Sequence, residues 1–214
     1  FDAYARGPGT VLDIGAQNVN GSLKDVCPRQ MKYVGVDFAA APGVDVVLED
    51  PYELPFEDAS VEIVVSNSCF EHSEMFWLLF LEILRVLKPA GLFYLNAPSN
   101  GLYHRFPVDC WRFYPDSGNA LVRWGQRNGY APLLLESFTG LQEADVWNDF
   151  VAVFLRDRAH AERHPRRILD THTEFTNGRR AGTRGLLQRT ELTEDLQRLR
   201  AVARIASRAV KLNK

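Results

Sequence analysis

Short apolar runs, set apart by polar stretches that carry glycine, proline or asparagine, dominate the first 155 positions. Residues 10–14, 31–37, 44–48, 61–66, 91–96, 130–138 and 150–155 read as strands, with 61–66 richest in β-branched side chains. Two longer segments have helical spacing. Ser73 is placed to cap a helix over 74–87, and Lys88-Pro89-Ala90-Gly91 supplies the breakers that stop it. Pro115 opens a second helix that runs to Asn128-Gly129. Strands alternating with helices predict an α/β domain, a mainly parallel sheet of seven strands with helices on both faces. In such a sheet the loops at the carboxyl ends of the strands form the ligand crevice, here 15–20, 37–43, 49–55, 67–72 and 97–114.

The pattern changes after residue 158. From Leu186 onward, Leu192, Leu196, Leu199, Val202, Ile205 and Val210 recur at helical spacing with arginines between them, an amphipathic helix. Charge changes at the same place. Residues 1–158 hold 12 Lys+Arg against 21 Asp+Glu, and 159–214 hold 13 against 6. The chain therefore divides into a domain over 1–158 and a basic tail over 159–214, and the tail helix is expected to dock on the acidic domain rather than on a membrane or partner. The stretch 171–178, polar and punctuated by Gly178, has the make-up of a lid over a bound acceptor.

Composition narrows the function. With 214 residues, 46% of them hydrophobic, the chain can bury one core of ordinary size. A net charge of −2 lacks the basic excess of a nucleic-acid binder, so no nucleic-acid partner is expected. Cys27, Cys69 and Cys110 stand apart with no C-x-x-C pair, which excludes a disulfide framework or zinc ribbon and fits a reducing, cytoplasmic setting. The longest apolar run, 75–81, is too short for a transmembrane helix. No basic-then-apolar leader opens the chain at Phe1, so secretion is not expected. A homodimer is compatible with these features.

Val11-Leu12-Asp13-Ile14-Gly15 places a short strand directly before a glycine, with Gln17, Asn18 and Asn20 in the turn and a helix expected after it. Gly15 lets backbone and ligand approach closely, and Asn18 or Asn20 can take the left-handed conformation. Asp37 ends the second strand about 20 residues on, where a carboxylate can accept from both hydroxyls of a ribose. Together these residues describe an adenosine site.

The same residues carry a resemblance to the class I S-adenosylmethionine-dependent methyltransferases. It rests on VLDIG at 11–15, YVGVD at 33–37, EDPYELPFEDASVEIVVSN at 49–67, FEH at 70–72 and ILRVLKPAGLFYLNAPS at 83–99. The resemblance implies a Rossmann-like sheet and a cofactor site. Asp13, Gly15, Gln17 and Asn18 would hold the methionine part and Asp37, with Phe38 beside it, the ribose. Asp50, Pro51 and Tyr52 would border the adenine, and Asn67 and Ser68 would lie beside the sulfonium. The turn departs from the family in having Gln17 and Val19 where further glycines are usual. A dinucleotide pyrophosphate needs those bare backbone positions more than an amino-acid moiety does, so the departure weighs more against NAD. It also keeps open a methyltransferase-like binding module without catalysis.

Methyl transfer to a hydroxyl needs a base beside the reacting oxygen. His72 and His104 lie in crevice loops and are the candidates; Glu71 reads as structural, and His160, His164 and His172 as solvated surface residues. The stretch 100–114 resembles the H-x-x-P-x-D-x-W-R-F segment of methyltransferases from sugar and polysaccharide pathways. Tyr103, His104, Arg105, Asp109, Trp111 and Arg112 would then contact a sugar, through aromatic stacking and forked hydrogen bonds. Asp109 with His104 or a neighbouring carboxylate would be the ligands if Mg²⁺ takes part. The expectation is O-methylation of a sugar or glycan precursor, small or oligosaccharide, with a phenol, carboxylate or amine acceptor as the alternative.

Overall fold

A computed structural model describes residues 1–19, 21–142 and 147–212. Its elements in chain order are β1 (Gly9–Ile14), β2 (Met31–Asp37), β3 (Val46–Val47), β4 (Val61–Asn67), α1 (Phe76–Val86), β5 (Leu87–Pro98), α2 (Ser117–Arg127), β6 (Leu133–Gly140), β7 (Asp149–Leu155), β8 (Phe175–Arg180) and α3 (Glu194–Leu212). The strands form one sheet in the order β3-β2-β1-β4-β5-β7-β6-β8. Pairing is parallel from β3 through β5 and antiparallel from β5 through β8.

Strand alternation divides the core. Leu12, Ile14, Phe93, Leu95, Ala152 and Phe154 point to the face covered by α1 and α2, where they meet Leu79, Phe80, Ile83, Leu84 and Leu121. The Phe93 and Phe154 rings stack at 5.7 Å, with Phe80 edge-on to Phe154 at 5.3 Å. Their neighbours along the strands, Val11, Ile63, Val65, Leu92, Val153 and Leu155, point the other way.

That second face corrects the expectation of helices on both sides. Among the described residues it is covered by the chain start around Phe1 and Tyr4 and by single 3-10 turns at Leu23–Val26, Arg158–Arg163 and Ile168–Asp170. The helix expected after Gly15 is reduced to the first of these turns. Gly21, Pro28 and the absence of any apolar repeat between them leave nothing for a longer helix to bury. Asn18 is not left-handed, whereas Ser68 is, at φ 53°; Asn20 lies outside the described residues.

The sheet has eight strands rather than seven. β8 is Phe175-Thr-Asn-Gly-Arg-Arg180, too polar to signal a strand, and it forms the sheet edge, where polar residues are tolerated. It occupies half of the segment read as a lid, residues 175–178, and Gly178 also pairs with Leu187. α1 starts at Phe76 because Ser73 closes a turn with Phe70 instead of capping, and it ends where Leu87 turns extended to begin β5. The tail helix α3 forms, but Leu199, Val202 and Ile205 are 63–69% exposed, so the expected docking of its apolar side on the domain is not seen. Among the described residues, no helix is long and apolar enough to cross a membrane.

Candidate functional site

The carboxyl ends of β1, β2, β4 and β5 open on a cavity of about 1060 Å³, whose far wall is built from β6, β7 and the approach to β8. At one end stand Gly15, Gln17, Asp37 and Phe38. Gln17 Nε2 donates to Asp37 Oδ1 at 2.9 Å, and the Ala39 N–H donates to the same oxygen at 3.1 Å. The shown bonds fall on Oδ1, which leaves Oδ2 for a ligand. Asp37 is otherwise buried, at the end of a central strand, so its carboxylate is fixed in direction.

Gly15 is required for two reasons. Its φ is +83°, and a Cβ there would stand 2.5 Å from Cys69 Cβ. The close approach is thus to the β4 loop. Gly15→Ala is expected to destabilise the protein by about 1–3 kcal/mol, measured by urea denaturation. An effect under about 0.5 kcal/mol would show that the turn re-forms with Cys69 displaced.

The remaining residues expected at the cofactor divide. Asn67 and Ser68 line the cavity, and the Ser68 N–H donates to Asn96 O. Asp13 does not line it; the carboxylate is buried and accepts from Tyr33 OH at 2.6 Å, with burial pushing its pKa up and that bond opposing. Asn18 Oδ1 caps the turn by accepting from the Gly21 N–H. Asp50 accepts from the Tyr52 N–H, and Tyr52 OH accepts from the Met75 N–H; with Pro51, these residues stand outside the lining.

At the other end, Glu71, His72 and His104 converge. The His72 and His104 rings meet edge-on at 4.8 Å. His72 Nδ1 bonds Val108 O, so that nitrogen carries the proton and Nε2 keeps a lone pair, 3.7 Å from Glu71 Oε1. Burial lowers the His72 pKa, which keeps the ring neutral. Glu71, read from sequence as structural, is 1% exposed, its pKa pushed up to about 7 chiefly by burial, and its Oε2 has no hydrogen-bond partner. The cluster assembles because the Cys110 and Trp111 N–H groups both donate to Glu71 O, tying the loop after β5 to the loop after β4.

The acceptor residues expected in that loop separate into lining and scaffold. Tyr103 and His104 line the cavity with Phe106 and Trp147. Arg112 instead grips Asp109 with both terminal nitrogens, at 2.5 and 2.9 Å, and donates to Leu102 O. This grip holds the Asp109 carboxyl down at about 2. Asp109 also accepts from the His104 N–H and lies 3.3 Å from His104 Nδ1. Trp111 leaves the cavity to donate to Ser73 O and pack on Phe76 and Trp77; Arg105 turns back to Pro107 O. These side chains shape the loop rather than face the cavity. An all-oxygen Mg²⁺ site based on Asp109 does not fit, because both its oxygens are already committed.

His172 and Glu174 are among the lining residues that escaped the sequence reading. His172, expected in solvent, packs on Phe138 at 5.2 Å and lines the cavity with Glu174. Their polar surroundings hide this, since only the pairing of β8 with β6 brings them to the mouth. His164 is buried as well, with Nε2 on Ala90 O.

Residues 10–95 match a family described as "Methyltransferase domain". An uncharacterized methyltransferase of Mycobacterium marinum is 29% identical over 142 residues, 60% of this chain and 53% of that protein. The chain thus spans about half the length of this relative. A SAM-dependent methyltransferase of Methanosarcina mazei superposes with TM-score 0.56 at 14% identity, over 73% of this chain and 96% of that one. Burkholderia thailandensis 1,6-didemethyltoxoflavin-N1-methyltransferase, solved with S-adenosylhomocysteine, gives 0.54 at 16% identity over 71% and 72%. Residues 10–95, from β1 into β5, thus match a methyltransferase-domain family, and the chain shares the Rossmann-like fold of solved S-adenosylmethionine-dependent methyltransferases.

Proposed function

We propose that this chain is an O-methyltransferase of the cytoplasm that methylates a hydroxyl of a sugar or glycan precursor. The observation that carries the reading is one cavity with a fixed carboxylate at one end and two imidazoles at the other. S-adenosylmethionine supplies an activated methyl group on a sulfonium. Asp37 Oδ2 is placed to accept from a ribose hydroxyl, and Gln17 holds that carboxylate in register. His72 Nε2 is placed to accept the acceptor's proton, because Val108 O fixes the tautomer. Tyr103 and Phe106, 74% and 60% exposed on the cavity wall, offer faces on which a sugar ring can stack. At about 1060 Å³ the cavity stands at the upper end of the usual range of small-ligand sites, about 300–1,000 Å³.

Calorimetric titration with S-adenosylhomocysteine tests the cofactor end. One saturable site is expected, weakened about 100-fold in Asp37→Ala, the loss of about 3 kcal/mol of charge-assisted hydrogen bonding. No binding to the intact chain would transfer the reading to a binding module. Labelled methyl transfer to a panel of sugars, phenols, carboxylates and amines tests the acceptor. Sugar methylation should vanish when one hydroxyl is blocked, and transfer to a non-sugar alone would overturn the sugar assignment.

A further inference from the structure

We infer that Glu71, His72 and His104 form a binding site for one divalent transition metal of the zinc type. One ligand atom from each residue lies within 4.8 Å of the other two. Each imidazole is already set up as a ligand. His72 donates from Nδ1 to Val108 O, and His104 Nδ1 stands 3.3 Å from both Leu102 O and Asp109 Oδ2, so the Nε2 lone pairs are left over. A carboxylate or carbonyl on the far nitrogen is the usual support of a metal-bound histidine, and Arg112 in turn fixes Asp109.

Glu71 supplies the second, independent observation. Its side chain is almost wholly buried, yet Oε2 has no hydrogen-bond partner. The other oxygen, Oε1, stands 3.7 Å from His72 Nε2, and a metal held between the carboxylate and the two imidazole lone pairs would satisfy all three groups at once. Tetrahedral zinc holds its ligand atoms roughly 3.3 Å apart, so the cluster must close by about 1.5 Å at most. That movement falls to His104, whose neighbours Leu102 and Tyr103 are 68% and 74% exposed.

The donor set selects the metal. Two nitrogens and one carboxylate suit zinc and its first-row neighbours, whereas Mg²⁺ and Ca²⁺ prefer oxygen throughout. Three protein ligands leave a fourth position on the cavity. There an acceptor hydroxyl can bind through oxygen and release its proton to solvent water, with His72 serving as ligand instead of base. This catalytic use rests on the proposed methyl transfer; the metal site does not.

The test uses the whole chain, stripped of metal by chelation and titrated with Zn²⁺ by calorimetry, with metal content read by mass spectrometry. S-adenosylhomocysteine is titrated into the same samples. One Zn²⁺ per chain is expected, weakened about 100-fold or more in Glu71→Gln and in His104→Ala and about 10-fold in Asp109→Asn. Co²⁺ should give the visible absorption of a four- or five-coordinate site, lost in Glu71→Gln. Unchanged S-adenosylhomocysteine affinity in the variants would show an intact fold. Absence of stoichiometric Zn²⁺ would overturn the proposal. So would binding that survives Glu71→Gln and His104→Ala, or that disappears in Cys110→Ser instead. Zinc binding without any S-adenosylhomocysteine binding would sink the methyl-transfer reading and leave the metal site standing.

Discussion

Replacing His72 with alanine will lower kcat for methyl transfer by a factor of about 10² to 10⁴ and leave affinity for S-adenosylhomocysteine within about twofold. The two effects separate because Gln17 and Asp37 belong to the β1 and β2 ends, whereas His72 lies in the loop after β4. The His72 side chain makes one hydrogen bond to the protein, to Val108 O, and its backbone bond to Cys69 O survives in alanine, so the substitution removes a small part of the loop's support. The loop keeps the bonds from Cys110 and Trp111 to Glu71 O. Single-turnover rates with saturating cofactor check this directly. A kcat within about threefold of the parent would remove His72 from the chemistry, as base and as ligand alike. A loss of cofactor affinity matching the loss in rate would make it a positioning residue for the pocket.

The central strands were legible because a strand covered by apolar side chains on both faces reads as a short continuous apolar run bounded by turn residues. β1, β2, β4 and β7 fall within a residue or two of the sequence expectation. What failed was cover on the second face. A short 3-10 turn such as Leu23–Val26 buries none of its own residues, so no repeat in the sequence announces it. β8 failed for a related reason: an edge strand of Thr, Asn, Gly and Arg draws its stability from pairing with β6, which is a tertiary fact. Pro89 reads locally as a breaker, yet β5 begins at Leu87 and absorbs it where the register with β4 shifts.

The site was legible where one residue occupies one strand end, as at Gly15, Asp37 and Asn67. It was not legible in the loop after β5, where Asp109, Trp111 and Arg112 have the chemistry of ligand contacts but spend it on the loop itself. Glu71 shows the converse. From sequence it reads as structural, and its significance comes from burial and a missing partner, neither of which a sequence carries.

Glu136→Ala will cost about 3–5 kcal/mol of stability, the largest structural effect expected of any polar substitution in the described residues. Glu136 sits on β6 at a shift in register with β7 and is fully buried. Its Oε1 accepts from Tyr4 OH and from the Ile168 N–H at 2.6 Å, and its Oε2 accepts from the Leu169 N–H at 3.0 Å. One carboxylate thus fastens both the chain start and the turn at residues 168–170 over the sheet face that has no α-helix. Truncation leaves three donors without partners and loosens Ile168, which lines the cavity. Urea denaturation should show the midpoint falling, with Tyr4→Phe, which removes one bond of the three, costing about 1–2 kcal/mol. If Glu136→Ala costs under about 1 kcal/mol, the apolar contacts of Tyr4, Leu135 and Leu155 hold that face by themselves. If the cost is as expected, the carboxylate does what a covering helix does in a thicker α/β domain. Acceptor binding should then weaken along with stability, because the cavity wall at Ile168 depends on the same three bonds.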